Sequence, residues 1–296
     1  IVDSCFQAES QMIAIVYQNL AGQIEKCTYG QLEKLVNRIG NALVGMGVRP
    51  DSHVGIDMTM TVEAVAIYLA CIKAGAVVVT VADSFAPPEI AVRLQIAEVS
   101  LVFTQDLIHR TGKQLPLYQK VVEAGAEKVV VIPTTDPYQI QLREQDLWWS
   151  DFLSSDLPTN GQLTAVSRYP NDHCTILFSS GTTGTPKAIP WTQTTPIKSA
   201  IDAFLHHDIQ TGDCLCWPTS LGWMMGPWLV FSALINRASI ALYDDAPTTS
   251  EFANFVEKAG VTMLGVVPSL VAHWRSTNSP CTSDWSRIKV FSSTGE

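Results

Sequence analysis

The sequence predicts an α/β fold in which parallel sheets are flanked by helices. Three observations lead there. Short β-branched apolar runs alternate with stretches of helical period along the chain. One run, Val77-Val78-Val79-Thr80-Val81, is so apolar that both faces of the strand must be covered. Of the 296 residues, 47% are apolar and only 16% are charged, which allows a large core or two subdomains and excludes a disordered chain.

Residues 1–26 contain one strand, Ala14-Ile15-Val16-Tyr17. Thr28 then opens a helix, and Gln31, three residues on, completes a capping box. Tyr29, Leu32, Leu35, Val36, Ile39, Leu43 and Met46 recur at helical spacing until Gly47 ends the helix. His53–Met58 reads as a strand, and Thr61–Ala74 as a helix closed by Gly75, with Lys73 a solvated charge at its end. Pro87-Pro88 opens another helix, and strands follow at Leu101–Phe103 and Lys128–Ile132. The polar stretch 154–173, with Pro158, Asn160, Gly161 and Pro170, reads as a surface linker. It separates a first subdomain, 1–153, from a second, 174–296. The second carries expected strands at 174–178, 214–218, 238–243, 261–267 and 288–291, and expected helices at 192–207, 249–259 and 268–274.

The chemistry concentrates in one stretch. The apolar run Cys174–Phe178 breaks into Ser179-Ser180-Gly181-Thr182-Thr183-Gly184-Thr185-Pro186-Lys187. Two glycines let backbone N–H groups converge in an anion-binding nest. Ser180, Thr182, Thr183 and Thr185 add hydroxyl donors, and Lys187 adds the cation. Together these make a polyphosphate cradle. It is not a Walker loop: counted from Gly181, Pro186 stands where the second glycine belongs, and Ala188 stands where a metal-binding hydroxyl is required. A plain Gly/Thr hairpin turn is the alternative, but such a turn needs neither the extra hydroxyls nor the lysine.

SSGTTGTPK resembles the phosphate-loop signature of the AMP-forming adenylating enzymes, over nine contiguous positions. That family usually has glycine after the lysine, where this chain has Ala188. Thr28–Leu32 resembles its TYxEL helix start and Leu69–Ala76 its LAxLKAGA segment, both packing elements. Gly222-Trp223-Met224-Met225-Gly226 resembles the GWxxG motif of acetyl-CoA synthetase relatives, whose aromatic residue borders the acyl pocket. Val266–Ser269 resembles the VPT/VPS element, and Ser293-Thr294-Gly295-Glu296 the turn that lies against adenine.

The resemblance implies the front part of the N-terminal α/β domain of a carboxylate–CoA ligase, acting through an acyl-adenylate and using ATP, Mg2+ and CoA. Lys187 would take the catalytic role. Ser179, Ser180, Gly181, Thr182, Thr183, Gly184 and Thr185 would join it around the phosphates, and Ser293, Thr294, Gly295 and Glu296 would border the base. Trp223, Met224, Met225 and Val267 would wall the acyl group. The family's magnesium, ribose and C-terminal lysine elements have no counterpart here, so residues 1–296 alone are not expected to complete the reaction. A non-catalytic nucleotide- or acyl-binding product, or an adenylation domain serving a carrier protein, is the alternative. No metal-ligand cluster is read from the sequence.

A formal charge of −9 with no basic run argues against nucleic acid as a partner. No apolar run reads as a transmembrane segment: Lys73 and Gly75 interrupt residues 61–82, and 221–235 is short. Seven cysteines without framework spacing suggest free thiols in a reducing compartment. Peroxisome or cytoplasm is implied by the resemblance only.

Overall fold

The capping box reads through to structure. Gln31 N donates to the Thr28 hydroxyl at 3.2 Å and Thr28 N to the Gln31 side chain at 2.8 Å. The computed structural model describes residues 1–296 except 20–21, 111, 135–139, 155–160, 180–183, 278–282 and 295–296. After a 3-10 turn at Val2–Phe6, the first half runs β1 (Ile13–Gln18), β2 (Ile24–Thr28), α1 (Tyr29–Gly45), β3 (His53–Asp57), α2 (Val62–Lys73), β4 (Val77–Val81), α3 (Pro87–Ile96), β5 (Leu101–Gln105), β6 (Ile108–Arg110), β7 (Lys113–Leu115), α4 (Leu117–Glu123), β8 (Val129–Ile132), β9 (Leu147–Trp148) and α5 (Trp149–Ser154). The second half runs β10 (His173–Ser179), β11 (Lys187–Thr192), α6 (Thr195–His207), β12 (Cys214–Cys216), α7 (Met225–Ile235), β13 (Ser239–Leu242), α8 (Ser250–Ala259), β14 (Met263–Val266), α9 (Pro268–Thr277) and β15 (Val290–Ser293).

Two large sheets result. One has seven strands in the order β11-β10-β4-β3-β5-β8-β9, parallel except for the β10–β11 pair. The other has six, β15-β14-β12-β13-β1-β2, parallel except for β1–β2. Each sheet takes strands from both sides of the 154–173 stretch: β1 pairs with β13, and β10 pairs with β4. The main apolar cluster fills the space between the sheets, joining Ile56, Val78 and Phe103 of one to Ile15, Leu215 and Ile240 of the other through α1, α2 and α7. Separate clusters cover the outer faces, with α3 and α4 on the seven-stranded sheet and α8 and α9 on the six-stranded one. The fold is therefore the α/β arrangement of helix-flanked parallel sheets expected from the alternation.

Strand β4 is buried at every residue, as its composition requires. Three elements differ from expectation for identifiable reasons. Helix α7 is buried on nearly all sides and shows no polar stripe, so its helical period is invisible in sequence. Strand β11 contains Pro190, which reads as a break but is tolerated because β11 is an edge strand. It takes up Lys187–Thr192, so the following helix begins at Thr195 rather than Thr192.

Lys73 is not the solvated charge the sequence suggested. It is 2% exposed, and its ammonium lies 3.0 Å from the Asp3 carboxylate. The chain after α5 covers it: Val166 N donates to Lys73 O at 3.0 Å, Leu163 N to the Asn37 side chain at 3.3 Å, and Asn41 to Gly161 O at 2.9 Å. Of the histidine pair ending α6, His206 is exposed, while His207 meets the Ser292 hydroxyl at 2.9 Å and ties the helix to β15.

Candidate active site

The C-terminal ends of the parallel strands of both sheets converge on one cavity of about 570 Å³. Thr59 and Met60 follow β3, Asp83 and Ser84 follow β4, Trp217–Ser220 follow β12, Tyr243–Pro247 follow β13, Val267 follows β14 and Thr294 follows β15. Strand carboxyl ends are where open α/β sheets place their ligands, because the chain leaves each strand there with free side chains. Trp223, Met224 and Met225 complete the wall from the turn that starts α7.

That turn is held by backbone. Trp223 N donates to Ser220 O at 3.1 Å and Gly226 N to Trp223 O at 2.9 Å. Gly222 lies against the end of β4 so closely that a Cβ there would sit 2.2 Å from Ala82 N. The Trp223 indole, 49% exposed, meets the Phe85 ring edge-on at 5.8 Å, and Arg93 sits 3.8 Å over the same Phe85 ring. Met224 is exposed and Met225 half-buried. One half of the cavity is thus aromatic and thioether.

The other half is polar. Arg110 meets Asp83 at 2.6 Å, and Lys120 donates to Asp83 O at 2.7 Å. Asp244 lines the wall with its Oδ1 lacking a hydrogen-bond partner among the described residues. Burial pushes its carboxyl up to about 6, against a partial pull from the Thr59 hydroxyl and Arg110. Asp57, two residues before Thr59, is fully buried with both carboxylate oxygens unpartnered among the described residues. Burial holds its carboxyl far above the usual range, opposed by Lys120 and reinforced by Asp83.

The glycine-threonine stretch lies between β10 and β11, whose antiparallel pairing sets Ser179 opposite Lys187. Because β10 runs parallel to β4, the loop leaves the seven-stranded sheet at the same end as Asp83. Gly184 has φ +85, and Gly184, Thr185 and Lys187 are exposed. Ser180, Gly181, Thr182 and Thr183 lie outside the described residues, as do Gly295 and Glu296. The structure therefore brings Trp223, Met224, Met225, Val267 and Thr294 together around one cavity. Ser293 instead lines a neighbouring open groove with Val266 and Pro268. Gln193 and Thr194 line a separate hollow beside Lys73 and Arg168.

Sequence reading missed Thr59, Asp83, Arg110, Tyr243 and Asp244. Their common signal is position: Thr59, Asp83, Tyr243 and Asp244 stand within two residues of a strand's carboxyl end, and Arg110 closes β6.

A sequence profile described as AMP-binding enzyme matches residues 4–296. The chain is 51% identical over 275 residues to hexanoyl-CoA synthase of Cannabis sativa, an alignment covering 92% of this chain and 38% of that protein. It is 47% identical over 295 residues to probable acyl-activating enzyme 18, peroxisomal, of Arabidopsis thaliana, covering 97% and 40%. Among solved structures, acetoacetyl-CoA synthetase from Streptomyces lividans superposes with a TM-score of 0.89 at 26% identity, covering 99% of this chain and 46% of that one. The chain thus spans about two fifths of the length of these curated relatives.

Proposed function

The chain belongs to the family of AMP-binding enzymes, and from that premise we propose that it forms the front part of an AMP-forming carboxylate–CoA ligase. One observation carries the reading. An apolar wall built on Trp223, Met224 and Met225 and the Lys187 hairpin stand at the carboxyl ends of the same sheets.

In this reading a carboxylate oxygen attacks the α-phosphorus of ATP, giving acyl-adenylate and pyrophosphate. The thiolate of CoA then displaces AMP. The protein's contribution is positioning and charge neutralisation. The 179–187 hairpin would hold the β- and γ-phosphates, with Lys187 meeting the charge of the leaving pyrophosphate. The tail of the acid would lie against Trp223, Met224, Met225 and Val267, and Thr294 would border the adenylate. Among the described residues, no group of three or more His, Cys, Asp or Glu is placed to hold a metal. Magnesium would accompany the nucleotide phosphates and neutralise part of their charge, and no step is routed through it. Relatives named as CoA synthases support CoA rather than a carrier protein as acceptor. Relatives named peroxisomal support residence in peroxisomes.

The test is acid-dependent ATP–pyrophosphate exchange and acyl-CoA formation by the full-length protein, with straight-chain acids of short to medium length. Exchange that no carboxylic acid stimulates would overturn the reading. Lys187→Ala is expected to slow exchange by roughly 1.5–3 kcal/mol of lost transition-state stabilisation, one charge-assisted phosphate contact. An unchanged rate would make Lys187 a surface charge. Trp223→Ala is expected to shift preference toward bulkier acids by about tenfold, because removing the indole opens the wall. Superimposable activity profiles across a set of branched and linear acids would remove Trp223 from the pocket.

A further inference from the structure

We propose that Trp217 and Gly265 act as a steric pair that fixes the depth of the acyl cavity, and so the longest acid tail the enzyme accepts. The inference rests on the ligase reading above.

Gly265 stands inside β14, with β12 on one side and β15 on the other. A glycine weakens a strand interior, and Gly265 has no positive φ to require it. Its role is therefore space. Strand alternation supplies the direction: Met263 belongs to the core between the sheets, while Leu264 and Val266 belong to the outer cluster under α8 and α9. Gly265 shares the inner face with Met263, and the Trp217 indole fills the volume its side chain would take. A Cβ at 265 would lie 1.9 Å from Trp217 Cδ2 and 2.2 Å from Cε3.

A second aromatic ring also packs against the indole. The Trp228 ring meets it edge-on at 5.7 Å, and Trp217 is only 5% exposed. Yet Trp217 lines the cavity. Any side chain at 265 must push the ring away from β14, and the open direction is into the cavity. A smaller residue at 217 does the reverse and deepens it.

The experiment measures kcat and KM for acid-dependent pyrophosphate exchange by the full-length protein, across straight-chain acids of increasing length. Thermal melting of each variant is recorded in parallel. Gly265→Ala is expected to lower kcat/KM for the longest accepted acids by about tenfold or more, while the shortest keep their activity. Trp217→Leu is expected to move the optimum to longer acids, and the milder Trp217→Phe to move it the same way by less. In the double variant Gly265→Ala with Trp217→Leu the alanine no longer meets a ring, so the loss caused by Gly265→Ala is expected to be largely relieved. Relief of the melting defect without relief of the length profile would show packing alone and overturn the proposal. So would single variants whose activity falls uniformly at every chain length. A wild type with no acid-dependent exchange would overturn the ligase reading and this inference with it, whereas an active wild type with unmoved variants would overturn the inference alone.

Discussion

Gly222→Ala is expected to destabilise the protein by about 3 kcal/mol, the upper part of the range for overpacking a close contact. The reason is what the new methyl would strike. Its three nearest atoms are Ala82 N at 2.2 Å, Ala82 Cα at 2.5 Å and Val81 C at 2.5 Å. All are backbone at the end of a strand buried along its whole length, so none swings aside as a flexible side chain would. Relief requires the 220–226 turn to lift off β4. That movement takes Trp223 away from Phe85 and opens the cavity wall, so acid affinity should fall together with stability. Gly212 is the control, since a methyl there would have nothing within 4 Å and only a φ of +88 opposes alanine. Urea denaturation of both variants checks this. Equal, small losses would mean that the turn tolerates displacement.

The second large effect is a gain. Asp244→Asn is expected to stabilise the protein at neutral pH by roughly 2–3 kcal/mol, about two units of carboxyl displacement at 1.36 kcal/mol each. In the unfolded chain the carboxyl ionises near its ordinary value of about 3.9, while in the folded chain burial holds its proton until about 6. Raising the pH therefore strips the unfolded state first. The stability this group contributes is complete below the unfolded value, declines as the pH rises toward 6, and stays lost above it. Asparagine has nearly the same shape and no charge, so its advantage should be present at pH 7.5 and shrink toward pH 4.5. Asp57 is displaced in the same direction and adds to the same slope in the wild type. Denaturation of both proteins at the two pH values is the measurement. A difference independent of pH would show that Asp244 is not held protonated by the fold. A carboxyl with one buried oxygen lacking a partner among the described residues, beside a cavity, is the kind of strain that function maintains, so the stabilised variant should also bind its substrates less well.

Much of the fold was legible because several independent signals agreed at the same residues. Thr28 with Gln31, Thr61 with Gly75, and the unbroken run 77–81 each set a boundary that burial and capping respect. Legibility failed where one signal masked another. Pro190 hid an edge strand, and uniform burial hid the period of α7. Lys73 was misread because nothing local announces that residues near 3 and 166 will fold over it. At the site, the hairpin and the tryptophan turn were visible because each is a contiguous run of unusual composition. The polar half was not. Asp83, Arg110 and Asp244 come from three separate strand ends, and only the sheet topology brings them together.

The exchange of strands between the sheets bears on how the chain is made. Strand β1 has no parallel partner until β13 exists, since Ile15 pairs with Ile240. At ribosomal speeds of about 5–20 residues per second, that wait is on the order of ten to forty-five seconds. Throughout it, Ala14 and Ile15, which end fully buried, belong to a sheet that has not yet been synthesised. Strands β3, β4, β5, β8 and β9 can pair with one another before the second half emerges, but β1 cannot take its parallel partner until then. The nascent β1–β2 hairpin must stay soluble and unaggregated until the second half emerges, which makes it a site for chaperone attention during translation.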